Sequence, residues 1–132
     1  MALFDEAIGA LGIPGFPLGP IEIELVAHND GARFGLHIDT TTQDGLAARE
    51  SNRILSLVYY FHRRPKGFNG GEMELSPIGA GQPVRIEPRD NRLIAFPSYI
   101  PHQVHEVSCP SREFADSRFA VNIWLGRPRR RG

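Results

Sequence analysis

The chain begins with a helical pattern and then changes to short extended patterns. Apolar residues recur at helical spacing over residues 3–11, and Gly12 follows as a stop signal. Residues 12–20 contain three prolines, which exclude a regular helix or an inner strand there. Residues 21–25 alternate apolar side chains with glutamates, a pattern that predicts a half-buried strand.

Further strand patterns, separated by turn residues, follow to the end of the chain. They cover residues 34–38, 54–61, 72–75, 84–86, 92–96, 104–107 and 119–125. The polar residues 40–52 predict a long loop, which in a compact domain is usually functional. So many short strands predict an all-β fold with a minor N-terminal helix. The pattern alone leaves a jelly roll, an immunoglobulin-type sandwich and another barrel open.

Composition narrows the class of protein. The 132 residues predict one domain, and 15 basic against 15 acidic residues argue against a chain-wide hold on nucleic acid or anionic lipid. The single cysteine, Cys109, excludes an intrachain disulfide and a multi-cysteine metal site. No apolar run is long enough to span a bilayer, and no basic residues precede the first apolar residues as they do in a secretory signal. We therefore expect no membrane partner and a cytoplasmic location. From the charge balance we expect no nucleic-acid partner.

One pair of residues points to metal chemistry. His37 and Asp39 are two positions apart on a predicted strand, so their side chains share a face and can hold adjacent positions on a metal ion. His105 or His102 can supply a third ligand. Two histidines and one carboxylate on one face of an octahedron leave three open positions, as in non-haem Fe(II) oxygenases.

The charge of such a site favours a 2-oxo acid as co-substrate. Two neutral imidazoles and one carboxylate leave a ferrous ion with one positive charge, which suits a dianion. The far carboxylate of that dianion needs a cation, and Arg118 is the candidate because a guanidinium binds a carboxylate bidentately. Arg118 opens a predicted strand and is expected to face inward with Ala120, Asn122 and Trp124, the last as a core residue.

Six segments in one order carry a family resemblance: residues 28–39, 54–61, 68–75, 91–98, 105–107 and 118–124. Together they resemble the Fe(II)/2-oxoglutarate-dependent dioxygenases of the prolyl 4-hydroxylase-like superfamily. The resemblance implies a double-stranded β-helix, which is a distorted jelly roll. It also implies a catalytic core at residues 21–126, between a helix and lead-in at residues 1–20 and a basic tail at residues 127–132.

The resemblance also implies roles for single residues. His37, Asp39 and His105 take the places of the iron ligands, with His102 as the competitor of His105. Arg118 takes the place of the residue that pairs with the distal carboxylate of 2-oxoglutarate, together with a tyrosine hydroxyl. That tyrosine is Tyr60 or Tyr59, and the register favours Tyr60. The other residues expected to bind this co-substrate are Val58, Met73, Asn122 and His28. His28 is equally compatible with a surface turn.

The implied function is the hydroxylation of an unactivated C–H bond in a polar substrate, with release of succinate and CO2. The substrate is a peptidyl or free amino acid such as proline, or a small natural product, with O2 as the oxidant and ascorbate as an accessory reductant. Residues 40–52 and 108–117 are expected to select it. The alternatives are a non-catalytic metal- or 2-oxoglutarate-binding module, and a cupin-type enzyme, which would prefer a histidine at Asp39.

Overall fold

The computed structural model describes residues 2–40 and 51–129, and of Ser51 only the backbone. One helix, α1 (Ala2–Ala10), is followed by the strands β1 (Glu22–His28), β2 (Phe34–His37), β3 (Ser51–Phe61), β4 (Asn69–Gly70), β5 (Met73–Leu75), β6 (Val84–Ile86), β7 (Arg92–Pro97), β8 (His102–Val104), β9 (Val107–Ser108) and β10 (Arg118–Pro128). Most of the loop predicted at residues 40–52, and the tail after residue 129, lie outside the described residues. In the described part, no helix is long and apolar enough to cross a bilayer.

Two four-stranded antiparallel sheets form the body of the fold. Their strand orders are β1-β10-β3-β7 and β2-β8-β5-β6, and β4 and β9 form a small third sheet. The predicted all-β jelly roll is confirmed. The core between the two main sheets contains side chains from both: Val58, Tyr60, Met73, Phe96, Val104 and Ala120.

The N-terminal segment covers one end of the outer face of the first sheet. Ile8 of α1 and Phe16 of the proline-rich lead-in pack against Leu55, Leu57 and Leu125. Because side chains alternate along β3 and β10, these leucines face outward, and the intervening residues face the core and the site.

The inner and outer faces of β1 are the reverse of what its alternation suggested. Its apolar residues Ile23 and Leu25 lie on the outer face and are 66% and 76% exposed. Glu24, Val26 and His28 instead line the cavity between the sheets. A two-residue period separates the two faces of a strand, but it does not determine which face meets the core. Here β1 is an edge strand, and its polar face borders the site.

Candidate metal centre and its cavity

A cavity opens between the inner faces of the two main sheets, and three possible metal ligands meet there. They are His37 at the end of β2, Asp39 two residues later, and His102 at the start of β8. The β2–β8 register pairs His37 directly with His102 and brings their ring centroids within 4.1 Å. The pairing of these two strands therefore brings residues 65 positions apart into one cluster.

The atoms of this cluster have the spacing of ligands around one ion. The Nε2 atoms of His37 and His102 each lie 3.3 Å from Oδ1 of Asp39, and the candidate ligand atoms all lie within 4.8 Å of one another. Two ligands about 2.1 Å from an ion and at right angles to each other are about 3 Å apart. The two separations between a histidine and Asp39 are close to this value.

The backbone fixes which nitrogen of each ring faces the cluster. Nδ1 of His37 donates to the carbonyl oxygen of Gly35, and Nδ1 of His102 donates to that of Ile100, each over 2.8 Å. A carbonyl oxygen only accepts, so both Nδ1 atoms carry hydrogen and both Nε2 atoms present a lone pair in the neutral rings. Two lone pairs then face a carboxylate oxygen, an arrangement that a divalent cation stabilises.

Two donors hold the carboxylate of Asp39, which is only 6% exposed. The hydroxyl of Ser56 and the indole N–H of Trp124 donate to its Oδ2 over 2.6 and 3.0 Å, while Oδ1 faces both histidines. The guanidinium of Arg53 lies 3.9 Å above the Trp124 ring and pairs with Glu22. Trp124 was expected in the core, but it lines the cavity and orients Asp39.

These contacts keep Asp39 charged. Burial alone would raise its pKa, but the hydrogen bonds that His102 and His37 donate through Nε2 when their rings are protonated, together with the one from Ser56, outweigh burial and hold the pKa far below its usual range. Burial alone would lower the pKa of His102, and Asp39 outweighs that effect and raises it. The carboxylate is therefore ionised at neutral pH and available to a metal ion.

The structure does not bring His105 to this cluster. Its Nε2 lies 3.6 Å from Oε1 of Glu74, too far for a hydrogen bond. β8 ends at Val104, which is buried in the core two residues after His102. Since alternate residues share a face, His102 points inward with Val104 and His105 does not. The structure therefore brings His102, and not the predicted His105, to His37 and Asp39, and it does so through the pairing of β2 with β8.

Arg118 has the features of an anion subsite in the same cavity. It is 2% exposed, its Nε donates to the carbonyl oxygen of Gly71 over 2.8 Å, and its Nη2 has no hydrogen-bond partner among the described residues. Gly71 has a φ of +72°, and a Cβ there would lie 2.6 Å from Cδ of Arg118. Burial lowers the pKa of Arg118. Glu72 attracts this guanidinium from a distance, but in the described part of the chain no carboxylate forms an ion pair with it, and a buried guanidinium of this kind fits a bound anion.

Two further polar atoms near Arg118 have no partner among the described residues. They are the hydroxyl of Tyr60, whose ring centroid lies 5.0 Å from Cζ of Arg118, and Nδ1 of His28, the register partner of Arg118. Burial raises the pKa of Tyr60, so its hydroxyl keeps its proton and can donate. Burial and then the charge of Arg118 lower the pKa of His28 and favour a neutral ring.

Of the remaining expected residues, three line the cavity and one does not. Val58, Met73 and Asn122 line the cavity. Tyr59 does not, because it lies on the other face of β3 from Tyr60 and donates to Oδ1 of Asn91 over 2.8 Å. Of the two tyrosines, Tyr60 is therefore the one whose ring lies beside Arg118.

Comparison with known proteins agrees with this geometry. A sequence profile of the 2OG-Fe(II) oxygenase superfamily matches residues 23–126. The chain belongs to this superfamily. Fe(II) and 2-oxoglutarate are the cofactor and co-substrate that membership implies, and the arrangement of His37, Asp39, His102 and Arg118 fits both. The predicted family is thereby confirmed.

The relatives of the chain are hydroxylases. A PKHD-type hydroxylase of Synechocystis is 38% identical over 128 residues, covering 91% of this chain and 41% of the relative. Among solved structures, a prolyl-4-hydroxylase of Pseudomonas putida aligns with a TM-score of 0.63 at 23% identity, over 96% of this chain and 63% of that one. A prolyl hydroxylase of Trichoplax adhaerens, in complex with a hypoxia inducible factor peptide, aligns with a TM-score of 0.65 at 23% identity, over 95% and 51%. The chain thus spans about two fifths of the curated relative, and the two structures support the fold.

Proposed function

We propose that this chain is an Fe(II)- and 2-oxoglutarate-dependent dioxygenase that hydroxylates an unactivated C–H bond of a polar substrate. The substrate is a peptidyl or free amino acid such as proline, or a small natural product, and the co-products are succinate and CO2. When bound, ferrous iron supplies the coupling of oxidative decarboxylation of 2-oxoglutarate by O2 to hydroxylation. Everything else in the reaction depends on how the side chains place the reactants.

Each side chain has one task in this proposal. The Nε2 atoms of His37 and His102 and a carboxylate oxygen of Asp39 would hold the iron. Ser56 and Trp124 donate to Oδ2 of Asp39 and keep its Oδ1 turned toward both histidines.

The other half of the cavity binds the co-substrate. The guanidinium of Arg118 pairs with its distal carboxylate, and the hydroxyl of Tyr60 donates to the same group. Neutral His28 offers a further polar contact there. Burial of this ion pair excludes water and strengthens it, since the attraction between charges grows as the local dielectric constant falls.

One observation carries the proposal. Two imidazole lone pairs and one carboxylate oxygen converge in a cavity that also holds a buried guanidinium without a carboxylate partner among the described residues. A metal cation satisfies the first group and a dianionic ligand the second. An enzyme that chelates 2-oxoglutarate on iron uses both features at once.

The test is substrate-dependent turnover. The protein is incubated with Fe(II), 2-oxoglutarate, ascorbate and a panel of free amino acids, proline-containing peptides and small natural products, and succinate is measured with the mass gain of one oxygen atom. We expect both products from wild type and from His105→Ala, and neither from Asp39→Ala. Succinate formation by Asp39→Ala at the wild-type rate would refute the assignment. Binding of iron and 2-oxoglutarate without any turnover would favour the non-catalytic module.

A further inference from the structure

Glu24 is an acidic side chain of the cavity that neither the metal nor the co-substrate uses. It lies on the inner face of β1, where alternate residues line the cavity, and opposite Asn122 of β10. The amide of Asn122 donates to its Oε2 over 3.5 Å, the upper limit for a hydrogen bond. The carboxylate of Glu24 is thus held in the cavity by one weak contact.

Along the sheet, Glu24 lies between the metal cluster and Arg118. Asn122, its register partner, is four residues from Arg118 and two residues from Trp124, which contacts Asp39. Glu24 lines the cavity on the edge strand of the first sheet and is also exposed to solvent. A substrate bound between the metal cluster and β1 would lie beside the Glu24 carboxylate.

The charges of the cavity leave Glu24 without compensation. The neighbouring Glu22 pairs with Arg53 over 2.8 Å, whereas in the described part of the chain no basic group forms an ion pair with Glu24. A ferrous ion, Asp39, dianionic 2-oxoglutarate and Arg118 together carry no net charge. The loaded cavity therefore keeps one excess negative charge, located at Glu24.

We propose that Glu24 selects a substrate that carries a cationic group, an ammonium or a guanidinium, close to the carbon that is hydroxylated. This inference rests on the proposed function and specifies its substrate class. A carboxylate on the wall of a cavity attracts a cation and disfavours a neutral or acidic analogue of the same shape. The cation belongs either to the backbone nitrogen of a free amino acid or to the side chain of a lysyl or arginyl residue.

The proposed preference for a cationic substrate is tested by measuring ligand binding to the protein loaded with Mn(II) and 2-oxoglutarate under argon, where no turnover occurs. Trp124 is the single tryptophan and lines the cavity, so its fluorescence reports occupancy. One arm compares L-proline methylamide, whose protonated ring nitrogen is a cation, with N-acetyl-L-proline methylamide. The other compares Nα-acetyl-L-lysine methylamide with its Nε-acetylated form. In one arm, we expect the cation to bind at least about fivefold more tightly than its neutral counterpart, and that arm identifies the source of the cation.

Variants assign the preference to Glu24. We expect Glu24→Gln to abolish the preference and Glu24→Lys to reverse it, while Glu6→Gln, which removes an exposed carboxylate of α1 outside the cavity, keeps it. Equal binding of cations and neutral counterparts by wild type, or a preference that persists in Glu24→Gln, overturns the inference and leaves the proposed function standing. Failure of wild type to bind 2-oxoglutarate overturns the proposed function and this inference with it.

Discussion

The hydroxyl of Ser56 is expected to set the metal affinity without touching the metal. Ser56→Ala removes a donor that lies 2.6 Å from Oδ2 of Asp39 and is buried with it. A hydrogen bond to a charged acceptor contributes about 1.5–3 kcal/mol. Loss of a partner that orients a metal ligand weakens metal binding about 10–100-fold, or about 1.4–2.8 kcal/mol. Because Trp124 still donates to the same oxygen, we expect the lower limit, about tenfold.

Anaerobic calorimetric titration with Fe(II) measures this effect directly. The matched control is Ser108→Ala, which removes an exposed hydroxyl of β9 outside the cavity and is expected to bind Fe(II) as wild type does. Thermal unfolding of the metal-free proteins separates a loss of affinity from a loss of fold. A wild-type dissociation constant for Ser56→Ala would refute the idea that its hydrogen bond holds Asp39 in the metal-binding orientation.

Two further predictions concern the co-substrate half of the cavity. The pKa of His28 is lowered from 6.5 by burial and then by Arg118, so below pH 6.5 the folded protein binds fewer protons at this ring than the unfolded chain does. Wild type is therefore expected to lose stability relative to His28→Gln as the pH falls through 6.5, and a pH-independent difference in urea unfolding would contradict this. Gly71→Ala is expected to destabilise the fold by about 1–2 kcal/mol and to weaken 2-oxoglutarate binding, because its Cβ meets Arg118 and its φ is positive. Gly9→Ala of α1, where the Cβ meets nothing within 4 Å, should cause neither effect, and equal behaviour of the two variants in unfolding and binding would refute the argument.

The sequence alone was sufficient to predict most of the strands and the inward orientation of the Arg118 side chain. Strand positions follow from local alternation and turn residues, which the chain carries at nearly every connection. Arg118, Asn122 and Trp124 share one face of β10 because they are separated by even numbers of residues, and all three line the cavity. These properties are local, so they can be read from a single chain.

The predictions that failed concern features that depend on contacts between residues far apart in the sequence. The apolar face of β1 turned outward because the inner face of this edge strand borders the site, which the alternation of Ile23 with Glu24 cannot show. The donor role of Trp124 depends on contact with a residue 85 positions away. The choice between His102 and His105 was of the same kind, because each histidine stands two positions before a buried valine and only the pairing of β2 with β8 places His102 opposite His37.

The identity of the third metal ligand tests the central claim most directly. Fe(II) and 2-oxoglutarate are added anaerobically to wild type, His102→Ala and His105→Ala, and the metal-to-ligand charge-transfer band of the chelate is recorded in the visible spectrum. We predict that wild type and His105→Ala develop the band at the same Fe(II) concentration and that His102→Ala does not. A band in His102→Ala, together with its absence in His105→Ala, would contradict the assignment of His37, Asp39 and His102 as the iron site.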